Sequence, residues 1–121
     1  MQRLLTSFRY AFQGIGHALR TQANLRIHLA ISIAVVIAGL GLQVNIMAWT
    51  ILVLTTMIVF AAELLNTAIE AAVDRAGAEW HPLAKVAKDA AAGAVVITAV
   101  GAVIVGVLIF GPRLLALIAP H

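Results

Sequence analysis

The chain has 121 residues, of which 63% are hydrophobic and 11% are charged, and its formal net charge is +3. Soluble domains carry about 25% charged residues, so this composition predicts a single-domain integral membrane protein. The absence of cysteine from the sequence excludes disulfides and thiolate metal sites. In a membrane protein, positive charge is first of all an indicator of which side of the membrane each loop occupies. We therefore expect no nucleic-acid partner.

The first predicted element is an amphipathic helix over residues 1–22. Apolar side chains recur there at intervals of mostly three or four residues: Leu4, Leu5, Phe8, Phe12, Ile15 and Leu19. Basic and polar side chains mostly occupy the other faces, a pattern typical of a helix lying in the membrane interface. The alternative is a helix that packs on a soluble neighbour, but the chain offers little soluble protein for it to pack on.

Three apolar segments follow, and with their flanking residues each reaches the length of about 20 residues needed to cross a bilayer. We predict transmembrane helices at about residues 26–43, 46–73 and 83–110. The short uncharged segment 41–45 predicts a turn that makes the first two spans an antiparallel hairpin. The sequence therefore predicts an all-α membrane protein with one surface helix and three transmembrane helices.

Basic residues predict the orientation of these helices. All but Arg113 precede the first span or lie between the second and third: Arg3, Arg9, Arg20, Arg26, Arg75, Lys85 and Lys88. With three crossings, both groups lie on one side of the membrane. The positive-inside rule makes that side cytoplasmic, so we expect the N-terminus in the cytoplasm.

The acidic residues are confined to the segment from Glu63 to Asp89, and the first follows the uncharged run 46–62 directly. At about 100° per residue, four polar side chains share one helix face: Glu63, Asn66, Glu70 and Asp74. A charged side chain in hydrocarbon costs roughly 2.5–3.5 kcal/mol on insertion scales, which favours a role in chemistry or ion handling. The alternative is a structural ion-pair network that holds a helix end at the interface.

Mixed carboxylate and amide oxygens are ligands that Mg²⁺ accepts. Together with Lys88 on the third span, they supply what phosphoryl transfer needs: a metal site, a cation for developing charge and a base. The sequence contains neither a G-x-x-x-x-G-K-[ST] motif nor a kinase-type glycine-rich loop, which excludes a P-loop nucleotide site.

The spacing of these polar residues resembles the prokaryotic diacylglycerol kinase/undecaprenol kinase family. The matching residues are Glu63-Leu-Leu-Asn66-Thr-Ala-Ile-Glu70-x-x-x-Asp74, Gly77-x-Glu79-x-His81 and Ala87-Lys88-Asp89. The segments Asn24-x-Arg26-Ile27-His28 and His81–Val95 look more like the undecaprenol kinase branch. The resemblance implies a homotrimer with shared sites in the bacterial inner membrane. It also implies Mg²⁺-dependent transfer of the γ-phosphate of ATP to a lipid hydroxyl, with undecaprenol favoured and diacylglycerol as the alternative acceptor.

The resemblance also implies residue roles. Glu63 would be the general base, and Glu70 would bind the metal. The nucleotide and its metal would contact Arg3, Tyr10, Gln22, Asn66, Glu70, Glu79, His81, Lys88 and Asp89. The lipid substrate would contact Asn24, Arg26, His28, Glu63 and Ala92.

Gln22 departs from the family pattern, because it stands where the family has a glutamate as second metal ligand. An amide keeps an oxygen ligand but loses a negative charge, so we expect weaker metal binding. Three explanations of the glutamine remain open: an altered sequence, a tolerated natural variant and an inactive relative.

Two functions compete with the lipid kinase: a non-catalytic membrane relative, which Gln22 alone supports, and a small multidrug-type transporter. The transporter would need four spans and an acidic residue in the first.

Overall fold

The computed structural model describes residues 1–120, which form four helices and, within that range, no strand. The helices are α1 (Gln2–Thr21), α2 (Ala23–Gly41), α3 (Ile46–Ala76) and α4 (Pro82–Ile118). α2, α3 and α4 are each long and apolar enough to cross a membrane. The predicted all-α fold, with one amphipathic helix followed by three candidate spans, is confirmed.

Helix α4 departs most from the sequence prediction, because it continues past residue 110 to Ile118. Gly111 and Pro112 favour a helix end, since proline removes a backbone donor from the helix. The side chain of Arg113 donates from Nη1 to the carbonyl oxygen of Ile109 at 2.6 Å. This bond supplies an additional donor close to the proline and supports the extra turns.

The connection between α1 and α2 is a single extended residue, Gln22, with φ −107° and ψ 108°. The guanidinium of Arg26 donates from Nη1 to the carbonyl oxygens of Leu19 at 3.0 Å and Arg20 at 2.9 Å. A cation is favourable at the C-terminus of a helix, where the last carbonyls lack partners. Arg26 therefore ties the start of α2 to the end of α1.

The hairpin between α2 and α3 depends on local backbone chemistry. Gln43 adopts a left-handed conformation with φ 52°, and the side-chain oxygen of Asn45 accepts from the N–H of Ala48 at 2.9 Å to cap α3. A Cβ atom added to Gly39 would lie 2.6 Å from Cη2 of Trp49. The two helices therefore approach closely because residue 39 is glycine, and Trp49 packs on α2 as a half-buried side chain.

A small core lies at the hairpin end, where Val44, Ala48, Leu52 and Ile109 are buried together. Since α2, α3 and α4 alternate in direction, the start of α2, the end of α3 and the start of α4 meet at the opposite end. Outside the core, many large apolar side chains of the long helices are exposed in the single chain. Such surfaces suit contact with lipid or with other copies of the chain.

Candidate functional site

A buried carboxylate lies on α3, in the half of the helix away from the hairpin. Glu63 on α3 is 2% exposed, and its Oε1 atom lies 3.1 Å from Nε2 of His28 on α2. The distance is within hydrogen-bond range, but Oε1 of Glu63 has no hydrogen-bond partner in this structure. Burying a carboxylate without full compensation is costly, and such costs are typical of functional positions.

Asn66 and Glu70 continue the polar face of α3 towards its C-terminus. The amide of Asn66 donates from Nδ2 to Oε1 of Glu70 at 3.4 Å, a long hydrogen bond. The amide oxygen of Asn66 is itself buried and has no hydrogen-bond partner. Buried polar atoms are normally paired, so this face carries two oxygen atoms available to a hydroxyl or a cation.

Ion pairs join the end of α3 to the start of α4. Nζ of Lys88 donates to Oδ1 of Asp74 at 2.6 Å, and Lys85 pairs with Asp89 one helical turn away. These side chains are solvent-accessible, so the pairs contribute little to stability. Their main effect is to place two cations and two carboxylates on one polar surface.

That surface forms one side of an open pocket of about 580 Å³ between α3, α4 and the loop that joins them. Its charged, polar and aromatic lining residues are Asp74, Glu79, Trp80, His81, Lys85, Lys88 and Asp89. Gly77 ends α3 with φ 153°, a conformation that is essentially restricted to glycine. His81 caps α4, because its Nδ1 atom accepts from the N–H of Leu83 at 3.1 Å.

The predicted site residues thus fall into two groups along α3. Four residues predicted to contact the nucleotide line the loop pocket: Glu79, His81, Lys88 and Asp89. Glu63 lies elsewhere, eleven residues before Asp74, which corresponds to about 16 Å along the helix axis. Asn66 and Glu70 lie between the two. Within a single chain, the candidate base therefore lies far from the loop pocket.

Other predicted site residues do not line this pocket. Within residues 1–120, Arg3 and Tyr10 are exposed on α1, Asn24 is exposed at the start of α2, and Ala92 is exposed on α4. Gln22 is half-buried at the helix junction.

The pocket also contains residues for which the sequence analysis predicts no site role. Asp74 is one of them. Its position one helical turn after Glu70 places it on the same polar face, and this spacing is the signal that could have identified it. Lys85 and Trp80 line the pocket as well, and both lie on or next to the predicted motif between residues 77 and 89.

The donor set near Glu70 fits a hard cation in its composition. Mg²⁺ is usually bound by one or two carboxylates together with substrate phosphates, rather than by a full cage of protein ligands. The carboxylate of Glu70 and the unpaired amide oxygen of Asn66 are donors of this type. Within residues 1–120, no three acidic or histidine side chains form a metal-binding cluster.

Comparison with known proteins decides the family. Residues 9–110 match the sequence profile described as prokaryotic diacylglycerol kinase. The chain belongs to this family. A diacylglycerol kinase of Synechocystis sp. is 49% identical over 115 residues, which cover 94% of this chain and 66% of the relative. An undecaprenol kinase of Bacillus subtilis is 46% identical over 114 residues, covering 94% and 93%. A diacylglycerol kinase of Escherichia coli is 39% identical over 103 residues, covering 84% of each chain.

Membership of the prokaryotic diacylglycerol kinase family places the chain among membrane lipid kinases, which take phosphate from ATP. The prediction of a lipid kinase is confirmed at this level, and the match does not favour a small multidrug-type transporter. The chain spans 66% of the Synechocystis relative and nearly all of the Bacillus relative. These relatives are named for different lipid alcohols, so family membership leaves the acceptor open.

Proposed function

We propose that this chain transfers the γ-phosphate of ATP to the hydroxyl of a membrane lipid, and that the acceptor is undecaprenol. The observation that carries the proposal is the carboxylate of Glu63, which is 2% exposed and has an unpaired oxygen at the polar end of an apolar helix. A lipid hydroxyl lies at the boundary between hydrocarbon and headgroups, where this carboxylate is placed if α3 crosses the membrane.

In the proposed reaction, Glu63 accepts the proton of the lipid hydroxyl. The lipid oxygen forms a bond to the γ-phosphorus, and the bond between that phosphorus and the β–γ bridging oxygen breaks. ADP leaves with the electron pair of the broken bond. A positioned general base typically contributes about 10²- to 10⁴-fold to the rate, so Glu63 would be a major contributor.

We assign the nucleotide to the loop pocket. Lys88 supplies a cation for the phosphates, while Asp89, Glu79 and His81 line the same pocket. Lys88 is now paired with Asp74 at 2.6 Å, and this exposed pair can open at little cost. Arg3 and Tyr10 are proposed to reach the nucleotide from α1, because both lie on the exposed surface of that helix.

Mg²⁺ would be held by Glu70, with amide oxygens from Asn66 and Gln22 as further ligands. When bound, it neutralises charge on the β- and γ-phosphates. Gln22 contributes no negative charge, so the proposal includes a raised Mg²⁺ requirement. Glu70 also accepts a hydrogen bond from Asn66, which orients its carboxylate along the polar face.

Undecaprenol is favoured over diacylglycerol by the motif Asn24-x-Arg26-Ile27-His28 and by the similarity to the Bacillus undecaprenol kinase along nearly its whole length. We propose that these polar residues and Ala92 lie near the acceptor headgroup. Diacylglycerol is the second candidate, because the Synechocystis relative at 49% identity is named a diacylglycerol kinase.

A homotrimer with sites shared between protomers is part of the proposal. The distance of about 16 Å along α3 between Glu63 and Asp74 is one reason to expect that a neighbouring chain completes the site. The exposed apolar side chains of α4, such as Val103 at 67% and Leu108 at 68%, offer surface for other copies or lipid. We place the N-terminus in the cytoplasm of the bacterial inner membrane, where ATP is available.

A two-acceptor assay tests this function. The purified chain in nanodiscs is given labelled ATP, Mg²⁺ and either undecaprenol or diacylglycerol, with Glu63→Gln as the inactive control. The proposal expects label in undecaprenol phosphate at a higher kcat/KM than in phosphatidate. Preference for diacylglycerol would overturn the acceptor assignment. Failure to label either lipid above the Glu63→Gln background, over a wide Mg²⁺ range, would favour the non-catalytic relative.

A subunit-mixing experiment tests the shared site. Glu63→Gln is co-assembled with a double variant of the surface helix, Arg3→Ala and Tyr10→Ala, each inactive alone. Recovered activity in the mixture is expected, because some sites would combine an intact base with an intact surface helix. No recovery in verified mixed assemblies would contradict sites built between chains.

A further inference from the structure

We propose that His28 is a positioning residue that fixes the carboxylate of Glu63 for proton abstraction. The inference rests on the proposed function and adds to it a residue that acts through the base. Nε2 of His28 lies 3.1 Å from Oε1 of Glu63, and the two side chains are 20% and 3% exposed. Among the described residues, no other side chain forms an ion pair or hydrogen bond with this carboxylate.

Among the residues around Glu63, the donor for its carboxylate comes from α2. A neighbouring groove between α3 and α4 is lined on α4 by Ala91, Ala94 and Thr98, which carry no charge, and the Thr98 hydroxyl donates to the carbonyl of Val95. The nearest acidic side chain on the same face of α3 is Glu70, which accepts from Asn66. His28 is therefore the group that can donate to the buried oxygen of Glu63.

His28 also sits on a well-anchored part of α2. Two residues earlier, Arg26 is bonded to two carbonyl oxygens at the end of α1. One turn later, the hydroxyl of Ser32 donates to the His28 carbonyl at 2.7 Å. A catalytic group is held precisely when its supporting residue lies on a rigid element. The backbone of His28 meets that condition.

His28 also lines a mostly apolar pocket of about 360 Å³ between α2, α3 and α4, and Glu63 is not among the residues that line it. By donating to one carboxylate oxygen, it leaves the second oxygen of Glu63 to accept the lipid hydroxyl proton. This role predicts a loss in kcat, whereas a contact with the lipid headgroup alone predicts a rise in KM.

The test uses the full chain in nanodiscs with saturating ATP and varied undecaprenol. A misplacement of about 1 Å can cost about 100-fold in rate, so His28→Ala should lower kcat about 10- to 100-fold and leave KM for the lipid within about twofold. His28→Gln keeps an N–H donor and should recover most of kcat. His17→Ala, which removes an exposed histidine from α1, should match the unmodified chain.

Several outcomes would overturn the inference. A rise in KM with unchanged kcat would make His28 a lipid contact. Equal losses in both His28 variants, with lowered melting temperatures, would make it a packing residue. Unchanged kcat in both variants of an active enzyme would defeat the inference and leave the proposed function intact.

A spectroscopic arm separates this inference from the function itself. In chain labelled with ¹⁵N-histidine, the Nε2 signal of His28 should shift when Glu63 is replaced by glutamine, while the signal of His17 stays in place. An unchanged His28 signal would overturn the pairing even if no acceptor lipid were phosphorylated. A shifted signal together with an unmodified chain that phosphorylates no acceptor lipid would instead defeat the proposed function and leave the pairing in place.

Discussion

The two ends of the helices differ in how their buried side chains are packed and paired. At the hairpin end, Leu52 and Ile109 are buried in an apolar core, and Gly39 leaves room for the ring of Trp49. At the other end, Glu63 and Asn66 carry buried oxygens without hydrogen-bond partners. Local rules of packing and polar pairing are followed at the first end and broken at the second, as is expected where a protein keeps its functional groups.

This contrast predicts a separation of effects. Substitutions at the hairpin end should change stability and leave the activity of the folded protein unchanged. Substitutions at the polar end should change activity with little effect on folding. Each prediction below tests one side of that separation.

Apart from replacement of the proposed base, the largest effect is expected from Lys88→Ala. If Lys88 stabilises charge on the phosphates, its loss should lower kcat/KM for ATP by about 100-fold, similar to removal of one electrostatic donor from an active site. Because its pair with Asp74 is exposed, the melting temperature should barely move. Arg75→Ala removes an adjacent cation outside the pocket and serves as the matched control. Equal kinase rates for both variants would break the proposed nucleotide site.

At the hairpin end, Gly39→Ala should destabilise the protein by about 2 kcal/mol, because overpacking a close contact typically costs about 1–3 kcal/mol. The new Cβ would lie 2.6 Å from the Trp49 ring. Gly41→Ala is the control on the same helix, since an added Cβ there meets nothing within 4 Å. Thermal denaturation in detergent measures both. Equal melting temperatures for the two variants would show that the α2–α3 contact is not tight.

Gln22→Glu tests whether residue 22 contributes to metal binding at the polar end. If residue 22 is a metal ligand as proposed, a carboxylate there should lower the Mg²⁺ concentration for half-maximal activity by about tenfold, because affinity rises with ligand charge. Gln13→Glu adds the same charge at an exposed position of α1 and should leave the Mg²⁺ dependence unchanged. Identical Mg²⁺ titrations for the two variants would contradict a metal-binding role for residue 22.

The smallest effect is expected at the cap of α3. Asn45→Ala removes the side-chain acceptor for the N–H of Ala48 and should cost about 1 kcal/mol of stability. Asn45→Asp keeps the acceptor and should cost less. Specific activity of the folded fraction should be the same in all three proteins. A reduced specific activity in Asn45→Ala would mean that the two ends are coupled.

The sequence predicted the features that depend on local periodicity. The apolar runs and the short uncharged turn identified α2 and α3, and the motif from residue 77 to 89 grouped Glu79 and His81 of the connecting loop with Lys88 near the start of α4. Continuation of α4 beyond Pro112 escaped prediction, because proline normally ends a helix and the supporting bond comes from the side chain of Arg113. Local rules could not anticipate that bond.

Contacts between helices could not be predicted from the sequence for a similar reason. His28 and Glu63 are 35 positions apart in the sequence, and no spacing rule brings these two side chains to 3.1 Å. The close approach of Trp49 to Gly39 depends on how two helices pack, so the sequence alone did not predict it. The bonds from Arg26 to α1 likewise depend on the angle between helices.

The most direct test of the central claim is the rate of phosphate transfer by Glu63→Gln, measured with its melting temperature in the same nanodisc preparation. If Glu63 is the base, the rate should fall by at least about 100-fold. The melting temperature should stay level or rise, because a buried and incompletely paired carboxylate has been replaced by a neutral amide. A folded Glu63→Gln protein that phosphorylates lipid within a few-fold of the original rate would contradict the account.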